Sequence, residues 1–265
     1  MSAPPATVLQ RILSETRTEL LRRIDEVPRA ELERHAADSP VPARSLRAAL
    51  SGPAVGVIAE FKRRSPSAGA LADSPDLHEV LAAYVSGGAA AASILTEGPN
   101  FAGSLEDLRA ARAACELPLL RKDFVVDDYQ LMEARAAGAD AVLLIVAALS
   151  GSELETLHAR ALSLGLEVLV EVHDESELES ALAAGAQLVG INNRDLRDFT
   201  VDTGRTERLM SHVPGSVTAV SESGISDAGQ VASLAAHGVR GVLVGEALMR
   251  AADPTAALRA LVAVR

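Results

Sequence analysis

From residue 55 onward the chain repeats one phrase, a short apolar and mostly β-branched run followed by an Ala- and Leu-rich stretch with helical spacing. The apolar runs are VGVIAEFK, AAASILT, LPLLRKDF, AVLLIV, EVLVEV, LVGIN, SVTAVSES and GVLVGE, eight in all. Between them lie DDYQLMEARAAGA, SGSELETLHARALSLG, DESELESALAAGA and DAGQVASLAAHG, several ending in the Gly expected just past a helix C-terminus. Short apolar strands alternating with helices imply parallel pairing through right-handed crossovers. Eight such units across residues 55–265 predict an α/β fold, a (β/α)8 barrel, within a single domain spanning 1–265. An open doubly wound sheet is the alternative, but no Gly-rich dinucleotide fingerprint follows the first strand.

Upstream, the pattern changes. Leu9, Ile12, Leu13, Leu20 and Ile24 predict an amphipathic helix whose apolar face must dock on something. Charges recur every few residues there, so the N-terminus has no apolar run long enough for a signal peptide or a membrane span. With 48% hydrophobic residues in 265, the chain can bury a full core. A net charge of -11 argues against a nucleic-acid partner, which clustered Lys and Arg would have to hold. The single cysteine, Cys115, excludes an intrachain disulfide framework and fits a reducing, cytoplasmic setting.

Barrel enzymes gather their chemistry where strands end. Here strand one ends at Glu60 and Lys62, which alternation puts on one face, strand three at Lys122 and strand five at Glu171. Strand six ends at Asn192, and strand seven at Glu222 and Ser223. A single polar terminus is ordinary solvent-edge chemistry, but five strands converging on one mouth carry a desolvation cost unless the charges are paired or used. The Lys62-Arg63-Arg64 run could otherwise be a solvated loop. Gly224 in SESGIS and Gly245 in LVGEAL sit at the last two strand-to-helix junctions, where barrels commonly bind phosphate, and Ser65 and Ser67 could add hydroxyl donors. Each Gly alone is equally a tight turn. The six histidines form no metal-ligand pair, and no G-x-S-x-G elbow appears. His173, followed by DESELE, fits a role near a helix start better than one in the mouth. Neither a metal nor a cofactor is expected.

The stretches IAEFKRRSPSAG, LTEGPNFAGSLEDL, LLRKDFVVDDYQL, LVEVHDESELE, GINNRDL, SESGI and VLVGEALM, in this order, resemble the motifs of the indole-3-glycerol-phosphate synthase family of tryptophan biosynthesis. The resemblance implies that 1-(2-carboxyphenylamino)-1-deoxyribulose 5-phosphate closes a pyrrole ring with loss of carbon dioxide and water. It implies Lys122 as general acid at the ketone oxygen, Lys62 as the anchor of the substrate carboxylate, and Glu171 as the proton-removing carboxylate. Glu60 would handle the departing hydroxyl or orient Lys122, while Asn192 and Glu222 position the substrate. A second lysine nearby is expected to ease proton loss from either ammonium. Ser65, Phe101, Phe124, Arg194, Leu196, Ser223, Gly224, Gly245 and Glu246 complete the expected substrate-binding set, with the phenylalanines and Leu196 packing around the aromatic ring or serving as plain core. Residues 1–50 are then expected as a helical extension covering the mouth. Asn100 replaces an aromatic common in the family, and Glu97 with Gly98 replaces an acidic pair. The expected partner is a phosphorylated small molecule, with no membrane, and the chain is a monomer or weak homo-oligomer. A Schiff-base aldolase and a non-catalytic phosphate-binding barrel are the competing functions.

Overall fold

The computed structural model describes residues 7–39, 44–71 and 75–263; the ends of the expected domain and part of the expected 1–50 extension lie outside the described residues. Barrel strand β1 (Gly56–Phe61) is followed by a two-residue hairpin, β2 (Arg64–Ser65) and β3 (Gly69–Ala70). The other barrel strands are β4 (Ala91–Leu95), β5 (Leu119–Lys122), β6 (Ala141–Ile145), β7 (Glu167–Val172), β8 (Leu188–Asn192), β9 (Thr218–Glu222) and β10 (Gly241–Val244). They close in the order β1-β10-β9-β8-β7-β6-β5-β4, every pair parallel, as the alternating pattern requires. The intervening helices include α4 (Leu77–Gly87), α5 (Leu105–Ala114), α6 (Asp128–Ala136), α7 (Gly151–Ser163) and α8 (Glu175–Ala183). They continue with α9 (Arg205–Met210), α10 (Ala228–Ala236), α11 (Glu246–Met249) and α12 (Pro254–Val262). Asp or Ser side chains cap most of their N-termini, for example Asp76, Ser104, Asp127 and Asp174, each accepting from a first-turn amide that would otherwise lack a partner.

Strand alternation divides the core in two. Val57, Ala59 and Phe61 face the helices, whereas Ile58 faces the barrel interior with Leu120, Leu143, Leu169, Val220 and Leu243. Two residues further along the same inward rows come Glu60, Lys122, Glu171 and Glu222. Register sets them at the mouth: Lys122 lies opposite Leu95, Glu171 opposite Ile145, and Glu222 opposite Asn192.

Three helices precede the barrel: α1 (Val8–Glu26), α2 (Arg29–Asp38) and α3 (Leu46–Ala49). Leu9, Ile12 and Leu13 of α1 join the interior cluster that contains Phe124, against which Phe101 and Leu196 pack. At the other end, Leu50 fills the barrel floor, where a Cβ on Gly56 or Gly241, the first residues of β1 and β10, would press on its side chain. The extension therefore serves both ends of the barrel, with α1 on the mouth side and the α3 region beneath.

A buried charge network fastens α1 to the wall. Alternation turns Arg121 outward as it turns Lys122 inward, and the Arg121 guanidinium bonds Asp123 at 2.8 Å, Glu133 at 3.1 Å and Thr96 Oγ1 at 3.0 Å. Glu133 in turn holds Arg23 of α1 at 2.7 Å, and Tyr129 donates to the Val27 carbonyl at 2.8 Å. Arg121→Ala leaves Asp123 and Glu133 buried without their cation, so urea unfolding should report a loss of about 3–5 kcal/mol. Arg23→Ala, at the more exposed end, should cost about 1 kcal/mol. Equal small losses for both would contradict this assignment.

Candidate active site

At the mouth, the inward rows bring two lysines among three carboxylates. Lys62 Nζ lies 2.6 Å from Glu60 Oε1. Lys122 Nζ lies 3.1 Å from Glu171 Oε2 and 3.4 Å from Glu222 Oε2. The three carboxylates are almost wholly buried, while each lysine keeps 16% of its side chain exposed toward one shared cavity. Both ammonium groups thus face the same space, as joint chemistry requires.

Close approach is bought by missing side chains. A Cβ on Gly190 would collide with Glu222 Oε1, and one on Gly245 would come within 2.5 Å of Glu60 Oε1. Gly245 therefore makes room for the Glu60 carboxylate. Ser223 and Gly224 follow Glu222 with φ of 66° and 78°, so a non-glycine residue holds a left-handed conformation at the rim. Such strain persists only when the surroundings enforce it. Here Ser223 Oγ donates to Asn192 Oδ1 at 2.8 Å, and Asn193 Nδ2 donates to the Ser223 carbonyl at 3.0 Å.

Electrostatics separate the members of the cluster. Burial disfavours the charge on Lys122, but Glu171, Glu222 and Glu60 together outweigh it and raise its pKa above that of an ordinary lysine. The expectation that a neighbouring lysine would ease proton loss from Lys122 is thereby corrected, because carboxylates outnumber ammonium groups. Burial pushes Glu222 up to about 7, with Glu171 and Glu60 adding to the rise and Lys122 opposing it. Glu171 is also buried, yet Lys122, His173 and Asn192 hold its pKa below the usual glutamate value. Neighbouring carboxylates with divergent proton affinities are the arrangement that acid and base roles need.

The cavity is lined by Glu60, Lys62, Ser65, Phe101, Lys122, Phe124, Glu171, Asn192, Arg194, Leu196, Glu222, Ser223 and Glu246 among the residues that sequence singled out. Gly224 and Gly245 are not among its lining residues; Gly224 packs toward Val201 and Thr203. Ser67, Leu95 and Phe199 also line it. The Phe101 and Phe124 rings lie 6.2 Å apart at 38°. Arg63 and Arg64 turn away: Arg63 bonds Asp107 at 2.6 Å, and Arg64 donates to the Pro99 and Asn100 carbonyls, tying the loop after β1 to the loop after β4. Asn100 bridges Glu97 at 2.9 Å and Glu15 of α1 at 2.8 Å, so its departure from an aromatic serves a polar clasp. His173, assigned to a helix start, does meet Glu177 of α8, but its other nitrogen also faces Glu171 at 3.4 Å. Alternation puts it on the same face as Glu171, which lies two residues before it, but the DESELE run that follows pointed instead to the helix start. Among the described residues, no cluster of three or more His, Cys, Asp or Glu is arranged to hold a metal, and no helix is long and apolar enough to cross a membrane.

Because the folded pKa of Glu222 lies near 7, above the 4.5 of an ordinary glutamate, the folded state keeps this proton after the unfolded chain has lost it. Stability is consequently lost as pH rises between those values and is level beyond them. Glu222→Gln removes that loss, so its stability relative to the parent should improve from pH 5 to pH 8 by on the order of 2–3 kcal/mol in urea unfolding. An unchanged difference at the two pH values would contradict the raised pKa.

The family model for indole-3-glycerol phosphate synthase matches residues 9–261. The chain is 50% identical over 255 residues to indole-3-glycerol phosphate synthase 2 of Streptomyces coelicolor, covering 96% of this chain and 98% of the relative. It is 48% identical over 258 residues to the Mycobacterium ulcerans indole-3-glycerol phosphate synthase, covering 97% and 94%. Among solved structures, the thiamine phosphate pyrophosphorylase of Pyrococcus furiosus superposes with a TM-score of 0.61 at 18% identity, covering 83% of this chain and 97% of that one, which speaks to the fold alone. With nearly every residue matched by the family model and half of them identical to a relative of the same length, the chain belongs to the indole-3-glycerol phosphate synthase family.

Proposed function

We propose that, in the conversion of 1-(2-carboxyphenylamino)-1-deoxyribulose 5-phosphate to indole-3-glycerol phosphate, Lys122 is the general acid, Glu171 the general base and Lys62 the anchor of the substrate carboxylate. The observation that carries this reading is the shared cavity, in which one ammonium is set against Glu171 and Glu222 and the other against Glu60. Ring closure sends electrons from the anthranilate ring onto the ketone carbon, and negative charge builds on the ketone oxygen. Lys122, held charged by its carboxylates, meets that oxygen and delivers a proton. The carbon-carbon bond to the carboxylate then breaks, carbon dioxide leaves, and its electron pair restores the aromatic ring. Lys62 must release the carboxylate at this point, which its pairing with Glu60 favours.

Dehydration completes the ring. The former ketone oxygen leaves as water after taking a second proton, and Glu171 removes one from the carbon next to the amine nitrogen. Two protons are taken up and one is given back, so each turnover draws one proton from solvent. Glu222, with a pKa near 7 and 3.4 Å from Lys122, is the group that brings this solvent proton to the spent amine.

We assign the phosphate to the rim formed by Ser223, Glu246 and Ser65, which line the cavity, with the Gly224 and Gly245 turns beside them. Glu246 pairs its carboxylate with Arg250 at 3.3 Å, which offsets its charge beside the anion. Arg194, Asn192 and Leu196 flank the sugar chain and the ring, and Phe101 and Phe124 stack near the aromatic end, which α1 covers and shields from water. All these groups come from one chain, in keeping with a monomer or weak homo-oligomer, and the lone buried Cys115 suits a cytoplasmic setting.

Lys122→Ala should lower kcat by about 10²–10⁴-fold, followed by indole fluorescence, with a smaller change in KM. Borohydride added during turnover should trap no adduct. A reduced adduct on Lys122 or Lys62 would instead make the lysine a nucleophile and the chain an aldolase-type enzyme.

A further inference from the structure

Glu171 Oε1 and His173 Nε2 are both buried, both lack a hydrogen-bond partner among the described residues, and lie 3.4 Å apart. Two orphaned polar atoms facing each other are costly as they stand, and one proton between them satisfies both. The rest of the ring is already fixed. Glu177 Oε2 lies 3.0 Å from His173 Nδ1 and also accepts the His173 backbone N–H at 2.7 Å, so Nδ1 is the donor to Glu177. An imidazolium is the form in which Nδ1 donates to Glu177 and Nε2 donates to Glu171 at once.

We infer that His173, clamped by Glu177, is a positioning residue for Glu171 that keeps its carboxylate ionised and aimed at the substrate. The inference rests on the reading of Glu171 as the base. No proton passes through the ring: Glu171 takes one from substrate carbon and returns it to the spent Lys122 amine 3.1 Å away, while the imidazolium keeps both of its own. Exposure rises along the chain, from 0% for the Glu171 side chain to 10% for His173 and 20% for Glu177. The imidazolium thus lies on the solvent side of Glu171, within the buried wall.

The charged neighbours support a protonated imidazole. Burial lowers the pKa of His173, but Glu177 on α8 and Glu171 on its own strand raise it further than burial and Arg205 of α9 lower it. The same cation helps depress Glu171, together with Lys122. Without it, Glu171 must bind its proton more tightly, and the acidic limb of the kcat profile must move to higher pH.

His173→Gln keeps a neutral amide near Glu171 but carries no charge. Its kcat should fall about tenfold or more while KM changes by less than about threefold, and the acidic limb should rise by about half a pH unit or more. Glu177→Gln, altered on the more exposed side, should shift the limb in the same direction if His173→Gln folds poorly. Parental kcat and limb position in both variants, or a fall in kcat with the limb unmoved, would overturn the inference. Glu171→Gln separates this from the underlying reading: an active Glu171→Gln sinks the base assignment itself, whereas an inactive one beside a parental His173→Gln sinks only the role of His173.

Discussion

The ammonium of Lys122 held among Glu171, Glu222 and Glu60 is the constraint around which the molecule is arranged. Burying so many carboxylates with so few cations is expensive, and no packing of apolar residues offsets it locally. The barrel tolerates the arrangement because strand register fixes the carboxylates at one level, where each can see the same cation. Removing the lysine would leave like charges facing one another across a dry cavity. Holding it there leaves Glu222 with a proton affinity near neutrality and Glu171 ionised, two different tools made from the same side chain.

Several features elsewhere follow from that crowding. Gly190 and Gly245 vacate the space that Glu222 and Glu60 occupy, so a glycine within β8 and another just past β10 are steric necessities. Ser223 is driven into a left-handed conformation directly after Glu222 and is locked by Asn192 and Asn193. On the outer face of the same wall, Arg121 carries a second buried network that reaches Arg23 of α1. Two adjacent residues, Arg121 and Lys122, thus serve opposite purposes: one fastens the extension to the barrel, the other faces the substrate cavity.

Much of this was readable from period two. Eight apolar runs specified eight strands, and the polar residues ending five of them fell where the barrel mouth had to be. That argument needs only alternation and the rule that chemistry sits at strand ends. It chose Lys62 as the inward cation but could not show what holds Arg63 and Arg64 away, which depends on Asp107 and on carbonyls more than thirty residues away. It assigned Gly245 to phosphate without seeing that Glu60, on the neighbouring strand, presses against it. His173 was given to the helix start because DESELE follows it, and its ring in fact meets Glu177 there and Glu171 on the other side at once. The floor of the barrel was illegible for the same reason: Leu50 reads as one more helical leucine until Gly56 and Gly241 close around it.

The state of the Lys122 amine decides the account most directly. With lysine labelled at Nζ, the nitrogen resonance of Lys122, assigned through Lys122→Arg, can be followed by NMR from about pH 6 to about pH 11, through and beyond the ordinary lysine pKa near 10.4. The account predicts an ammonium across that whole range, with titration appearing inside it once Glu171 and Glu222 are both replaced by Gln. A parental Lys122 that loses its proton below about pH 9 would contradict the claim that the surrounding carboxylates hold it charged.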